Sequence, residues 1–554
     1  MRQDRKTLAV AVAVAAVLVG GGAYAAVSIG DDSPAEADGD GGQPGTAPTA
    51  AEAEQVAEAF LGAWADGFTG PAADLTDDPP AVRAALTAFT EDAGLTGLTL
   101  TPGSAAPGED GTAVPFSVRG SVAHGELTAD WSYDSELTVV RAEGGEPVVD
   151  WRPEVRHPRL TEGRTVELGP PDGPGAVPVR VLDSSGEELT AEDHPTLAGL
   201  LDQLRERYAE ESGGAAGVVL RVTGEDAGGT DDGEDDGEEA AEEPLLTLAE
   251  PATGEVPTTI DRKTQRAAEK ALADTPRAAM VAIEPSSGAI RAVVNNPAGG
   301  EDMALQGRNS PGSTWKIVTS GMLLEEGLAD PDAAHPCPKF FDHGGWEFQN
   351  LNEFEIKGGT FADSFAASCN TAFISTAPKL EDDQLGAYAK KAFGVGLDWK
   401  TGVDALSGSV PVEEKAQKAA QLIGQAGVLV NPLVMASVSA TVKEGAFHQP
   451  YLVPPEFDGR ELARAEGPSA EAAGQLRRLM KLTASSGTAA AAMAGLGGDI
   501  GGKTGSAEVY DQKKPNAWFT AFRNDLAVAA VVPNSGHGGK FAGPLVVEVL
   551  KAAG

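Results

Sequence analysis

Positive charge is scarce in this 554-residue chain: 42 Lys and Arg stand against 83 Asp and Glu, a formal net charge of −41. So acidic a surface repels phosphate, which excludes nucleic acid as a partner. Cysteine is nearly absent. Two residues, Cys337 and Cys369, permit one disulfide at most. The sequence leaves open whether they clamp a loop of about 30 residues or remain two buried thiols. The acidic run "DDGEDDGEEAAEE", Asp231 to Glu243, lacks the ligand spacing of a calcium cage and reads as a solvated loop. The N-terminal portion gathers no cluster of His, Cys and carboxylates, and His124 reads as a surface or strand residue. No metal and no cofactor is expected.

An apolar share of 41% suits folded, globular material, and the length suits about three or four domains. At the start, Arg2, Arg5 and Lys6 precede an uncharged stretch, Thr7 to Ile29, and Asp31 and Asp32 follow it. A stretch of that length can cross the hydrocarbon core as a helix, with the charged flanks placing the bulk of the chain outside. It is either a retained membrane anchor or a signal cut after Ala25 in "AYAA". Both readings export the body to the extracytoplasmic side.

Residues 30–50, rich in Gly, Pro, Ala and acid, read as a linker. In "AAEAEQVAEAFLGAWADGF", Val56, Phe60, Leu61 and Trp64 recur at helical spacing. Alternating short runs follow, with "EGGE" as a hairpin turn, so residues 51–153 read as an α+β unit. Residues 154–257 read as a small pedestal or dimerisation-type domain carrying the acidic run 231–243. Within it "PVRVLDSSGEEL" suggests a hairpin and "PTLAGLLDQLRERYAEE" a helix. Residues 258–554 carry two hairpins, turning at Glu284–Gly288 and Arg523–Asp525, with "GGKTGSAEVY" able to pair beside the second. The expected fold is multidomain. Its last part is an α/β domain with a five-stranded antiparallel sheet flanked by helices.

Lys-Thr-Gly occurs twice, at Lys400-Thr401-Gly402 and Lys503-Thr504-Gly505. The first follows a helix that closes at Gly394 or Gly396, and reads as a solvated loop. The second lies in a strand beside apolar hairpins. There Gly505 lets a ligand approach the backbone. Thr504 and Ser506 offer hydroxyls and Lys503 a charge, a set suited to a carboxylate. One lysine, Lys316, has a serine three residues before it, Ser313 in "NSPGSTWKIVTSG". On a helix the two share a face. A serine is a weak nucleophile until a neighbouring base takes its proton, and a lysine is such a base only if burial or a second cation lowers its pKa. One asparagine, Asn370, has a serine two residues before it, Ser368 in "FAASCNTAF".

Ser-x-x-Lys, Ser-x-Asn and Lys-Thr-Gly in this order form the motif set of penicillin-binding proteins and class A β-lactamases. With "TTIDRKTQRAAEKAL", "IGQAGVLVNPLVMA" and "AWFTAF", residues 258–554 resemble class B penicillin-binding proteins. The N-terminal α+β unit resembles the nuclear-transport-factor-like domain of methicillin-resistance-type members. The resemblance implies a serine D,D-transpeptidase that cross-links peptidoglycan stem peptides and is acylated by β-lactams. It implies that Ser313 is the nucleophile and Lys316 its base. Ser368 relays a proton under the charge of Lys503, and Asn370 holds Lys316 and the substrate amide. Thr504, Gly505 and Ser506 bind substrate, and the N–H groups of Ser313 and Ser506 form the oxyanion hole. No glycosyl-transferring domain is visible, so the resemblance also implies a glycan-polymerising partner. Two positions depart from the family pattern: Cys369 inside Ser-x-Asn, and Ser506 where threonine is usual. A β-lactamase is disfavoured because Asn431, the one asparagine between Asn370 and Lys503, has Gly427 rather than a glutamate four residues earlier. A D,D-carboxypeptidase and a non-catalytic sensor or scaffold stay open.

Overall fold

In the computed structural model, residues 46–171, 177–224, 243–509 and 512–554 are described. The expected anchor or signal, most of the expected linker and nearly all of the acidic run lie outside these residues. Among those described, no helix is long and apolar enough to cross a membrane. The chain divides into two compact units. One takes in the described residues up to Arg83 with Leu100–Ser117 and Asp134–Val155, and the other the described residues of Ala84–Thr99, Val118–Tyr133 and Arg156–Gly554.

In the first unit, helix α1 (Ala50–Ala65) starts at Thr49, whose side chain accepts from Glu52 N while Glu52 reaches back to the cap. This reciprocal capping satisfies two orphan donors. Arg141 fixes Glu52 with an ion pair of 2.9 Å. The buried stripe is Ala53, Ala57, Phe60, Leu61 and Trp64. Val56, expected in it, is only partly covered, and Ala53 and Ala57 are buried in its stead. Further along the chain, and not confined to the first unit, strands β1 (Leu95–Pro102), β2 (Thr112–His124), β3 (Leu127–Arg141) and β4 (Pro147–Asp150) follow in the order β1-β2-β3-β4, with a two-residue strand added to β2. His124 is exposed at a strand end.

The second unit contains the segment between that sheet and the last domain. Strands β5 (Thr165–Gly169), β7 (Val218–Thr223) and β8 (Glu243–Ala249) form a three-stranded sheet. The expected hairpin in "PVRVLDSSGEEL" is reduced to a single bridge between Leu182 and Glu188. Strand β6 (Val179–Leu182) pairs instead in parallel with β9 (Gly254–Pro257). The buried Asp183 side chain explains this. It accepts from Ser185 N and Glu187 N, so the chain curls into a tight turn instead of returning as a strand. Helix α2 (Ala198–Arg207) buries Leu201 and Leu204.

The last domain is built on β10 (Ala278–Ile283), β11 (Ile290–Asn296), β12 (Ile500–Ala507), β13 (Asn516–Arg523) and β14 (Leu526–Val532), in the order β11-β10-β14-β13-β12. Every pairing is antiparallel. The expected five-stranded sheet therefore joins strands from both ends of the domain. Side chains alternate along each strand. Met280, Phe519, Val528 and Ala530 meet helices α3 (Arg262–Leu272) and α9 (Gly543–Ala553) on one face. Val281, Trp518, Ala529 and Val531 meet α7 (Pro432–Glu444) and the helical region on the other. Both faces are covered, so β10 and β14 are buried at every residue and read as unbroken apolar runs. Strand β12 lies at the sheet edge.

Candidate active site

Ser313 lies in a 3₁₀ turn, Gly312–Trp315, that runs directly into α4 (Lys316–Glu325). The expected first-turn position is therefore a tighter turn with the same outcome. Ser313 remains partly exposed while Lys316, three residues on, is fully buried. Two glycines bring this turn against strand β12. Gly312 has φ +53°, and a Cβ there would lie 2.6 Å from Ser506 O. A Cβ on Gly505 would lie 2.7 Å from Pro311 O. Only glycine at both positions allows the two backbones so close.

The Ser-x-Asn segment joins two short helices, α5 (Phe361–Ala366) and α6 (Asn370–Ile374). Ser368 turns the corner with φ +61°, a conformation that costs a non-glycine residue about 1–2 kcal/mol. What holds it there is visible. Cys369 forms a disulfide with Cys337, closing the alternative left open by the sequence. Its Sγ also accepts from Ala372 N as the cap of α6. Asn350, buried, accepts the backbone N–H groups of Asn370 (2.7 Å) and Thr371 (3.1 Å). It donates to Pro338 O and Phe354 O. No motif pointed to Asn350; its only sequence signal is being a polar residue after an aromatic strand.

The three motifs meet at two buried amines. Lys316 Nζ donates to Ser368 O and to Asn370 Oδ1, each at 2.8 Å, with Ser368 Oγ farther at 3.5 Å. Asn370 is oriented for this because its Nδ2 donates to Gln349 O. Lys503 stands opposite Thr520, so it points to the same face as Trp518 and Phe522, toward the helical region. Its Nζ donates to Ser368 Oγ at 2.9 Å and to Thr504 O at 3.0 Å. The rings of Phe373 and Phe365 lie 5.3 and 5.7 Å from the two amines.

Burial sets the electrostatics. It pushes Lys503 down to about 7. Burial first, and the charge of Lys503 second, holds Lys316 well below the ordinary amine range. A neutral amine has two N–H donors and one lone pair, where an ammonium has three donors. A pKa lowered in this way favours the neutral amine, whose lone pair can take a proton, and Lys316 Nζ keeps short bonds to Ser368 O and Asn370 Oδ1 around it.

Thr504 Oγ1 lies 2.7 Å from Thr488 Oγ1, and Ser506 Oγ lies 3.4 Å from His537 Nδ1. Neither Thr488 nor His537 carried a sequence signal. The first Lys-Thr-Gly copy lies elsewhere. Lys400 is half exposed and pairs with Asp398 at 2.6 Å. Thr401 O accepts from Leu452 N, and Gly402 O accepts from Tyr208 of the segment carrying α2. This copy is a joint. Among the described residues no group of three or more His, Cys, Asp or Glu side chains is placed to hold a metal ion.

The chain matches known proteins along most of its length. Residues 278–551 match the penicillin binding protein transpeptidase domain, and residues 52–164 the NTF2-like N-terminal transpeptidase domain. Peptidoglycan D,D-transpeptidase PbpA of Mycobacterium tuberculosis is 27% identical over 373 residues, 56% of this chain and 74% of that protein. PbpA of Mycolicibacterium smegmatis is 29% identical over 372 residues, again 56% and 74%. The solved structure of Pseudomonas aeruginosa PBP2 in complex with WCK 5153 shares the fold. It has a TM-score of 0.50 at 24% identity over 56% of this chain and 80% of that one. A sheet made from both ends of one domain, a serine and two buried lysines gathered at its edge and an NTF2-like domain ahead of it have one common account: the chain belongs to the class B penicillin-binding proteins.

Proposed function

We propose that this chain is a serine D,D-transpeptidase of peptidoglycan, working through an acyl-enzyme on Ser313. The observation that carries the reading is a fully buried Lys316, three residues after Ser313, bonded to both Ser368 and Asn370 of the second motif. Lys316 takes the Ser313 proton as Oγ attacks the carbonyl carbon of the penultimate D-Ala. The developing oxyanion meets the N–H groups of Ser313 and Ser506 at the edge of β12. As the C–N bond breaks, Ser368 gives its proton to the departing D-Ala amine, and Lys316 restores it along the hydrogen bond between them. Lys503 stays charged to hold Ser368 in place and to draw the substrate carboxylate, with Thr504 and Ser506 supplying hydroxyls. An amine of a second stem peptide then attacks the ester, forming the cross-link and releasing Ser313. A β-lactam presents the same carbonyl and carboxylate and stops at the ester.

Attachment to the membrane through residues 1–29, and work beside a glycan-polymerising partner, are part of the same proposal. They rest on the charge pattern of that segment and on the class B layout. Intact-mass measurement with excess penicillin tests the chemistry. One adduct is expected, absent in Ser313→Ala and present at the wild-type rate in Lys400→Ala. An adduct retained by Ser313→Ala would remove the nucleophile from this account. Lipid-linked donor with an acceptor strand then separates cross-linking from trimming.

A further inference from the structure

A surface groove of about 600 Å³ opens beside the reaction centre and is not used by any step above. It begins at Ala367, the residue before Ser368, and at Thr488, whose hydroxyl meets that of Thr504. Thr488 N donates to Ala366 O, so the end of helix α8 (Ala470–Ser485) and helix α5 form its floor together. A Cβ on Gly487 would lie 2.5 Å from Ala366 O, which is why the floor can close. Phe354, Ile356 and Leu482, each partly covered, give it an apolar wall, and the exposed Asp363 marks its rim. One oxygen of Asp363 is committed to the cap of α5.

Three features bear on what the groove takes. Ser368 is the hydroxyl that hands a proton to the leaving amine, so that amine departs past Ser368. By microscopic reversibility the attacking amine arrives along the same line and returns its proton to the same relay. Through Ala367, next to Ser368, and Thr488, bonded to Thr504, the groove comes up to the relay hydroxyl, and its lining includes none of Ser313, Lys316 or Asn370. Its composition, an aliphatic and aromatic wall with a carboxylate at the rim, matches a hydrocarbon side chain ending in a primary amine. Such an amine is cationic in water and is drawn to a carboxylate before it loses its proton.

We propose that this groove binds the acceptor stem peptide by its amine-terminated aliphatic side chain. The proposal rests on the transpeptidase reading above and deepens it. In the step it serves, the amine nitrogen bonds to the acyl carbon and the ester bond to Ser313 Oγ breaks. The proton lost by the amine passes through Ser368 to the amine of Lys316, which returns one to Ser313 Oγ. Nothing is oxidised or reduced.

The test separates acceptor from donor. The full chain turns over a D-alanyl thioester, and Nα-acetyl-lysine amide competes with water for the acyl group. Ser486→Trp fills the groove from an exposed position, and Asp363→Asn removes the rim charge while leaving an oxygen for the cap. Penicillin acylation and thioester hydrolysis should be unchanged in both variants. The KM for Nα-acetyl-lysine amide should rise about tenfold in Ser486→Trp and about threefold in Asp363→Asn, and added salt should erase the second effect. An unchanged partition between amide and acid in both variants overturns the proposal. So does a matched loss of acylation and aminolysis, which would put the groove in the donor's path. Failure of the wild-type chain to acylate at all would strike the transpeptidase reading itself, a different result.

Discussion

At the scale of single residues, the site depends on keeping one amine neutral and another charged a few ångströms apart. Lys316 accepts a proton only when neutral, so acylation must rise with pH as Lys316 loses its own. Lys503 acts as a cation and titrates at about 7, so acylation must fall again above that value. The expected profile of acylation rate against pH rises through the titration of Lys316 and falls through that of Lys503, a bell wherever the first lies below the second. Asn370→Asp gives the sign a direct test. It puts a carboxylate where an amide oxygen now lies 2.8 Å from Lys316 Nζ. A nearby anion favours the ammonium, so the pKa of Lys316 rises and the acid limb moves to higher pH. Each unit of movement lowers the rate at a fixed pH on that limb by about tenfold. A limb that stays in place would show that Lys316 is not the base. The sign for Lys503 follows in the same way: Lys503→Met should remove the alkaline limb and lower the maximum.

At the scale of elements, the Ser-x-Asn corner needs outside support because its serine is in a left-handed conformation and its helix is one turn long. A disulfide closing 32 residues contributes about 3–4 kcal/mol in the chain-entropy account. Asn350 contributes differently, by satisfying the first N–H groups of α6 that a side-chain oxygen at the Cys369 cap would otherwise take. Asn350→Leu leaves those donors buried and unpaired, at a cost of about 1–3 kcal/mol for each. Thermal unfolding should therefore shift down, and acylation should fall by more than the folded fraction does, because Asn370 loses its orientation toward Lys316. Acylation that tracks the folded fraction alone would limit Asn350 to a structural role. This element also marks where the sequence stops being readable. The hairpins around Glu284–Gly288 and Arg523–Asp525 were legible because strand period and turn chemistry are local. Lys503 could be preferred to Lys400 because one lies in an apolar strand and the other in a loop. The Asn350 clamp connects residues 20 apart with no periodic pattern, and the pairing of Val179–Leu182 with Gly254–Pro257 spans more than 70 residues. Both are decided by packing, as is the groove beside Ser368.

At the scale of the molecule, the first Lys-Thr-Gly copy gains its meaning. Tyr208, at the end of α2, donates to Gly402 O and is buried with Val181, Leu201 and Leu204 in the same core as Ile283, Val403 and Leu452. His194 is fully buried with Nδ1 3.0 Å from Glu269 of α3, and Thr196 donates to the same carboxylate. The sequence-level boundary at residue 258 therefore cuts through a continuous core. Each apolar side chain uncovered there costs roughly 1.5–3 kcal/mol, against a total stability of about 5–15 kcal/mol for an ordinary domain. Three or four such losses are enough to unfold it. A chain beginning at Thr258 should be insoluble, or should melt at least about 10 °C below the full chain and lose acylation with its fold. A chain beginning at Gly163 keeps β5 to β9 and α2, and should acylate penicillin at the full-length rate. Differential scanning calorimetry beside intact-mass acylation decides the matter. If the chain from Thr258 matches the chain from Gly163 in both, the segment before it is a spacer, and the first Lys-Thr-Gly copy is no joint.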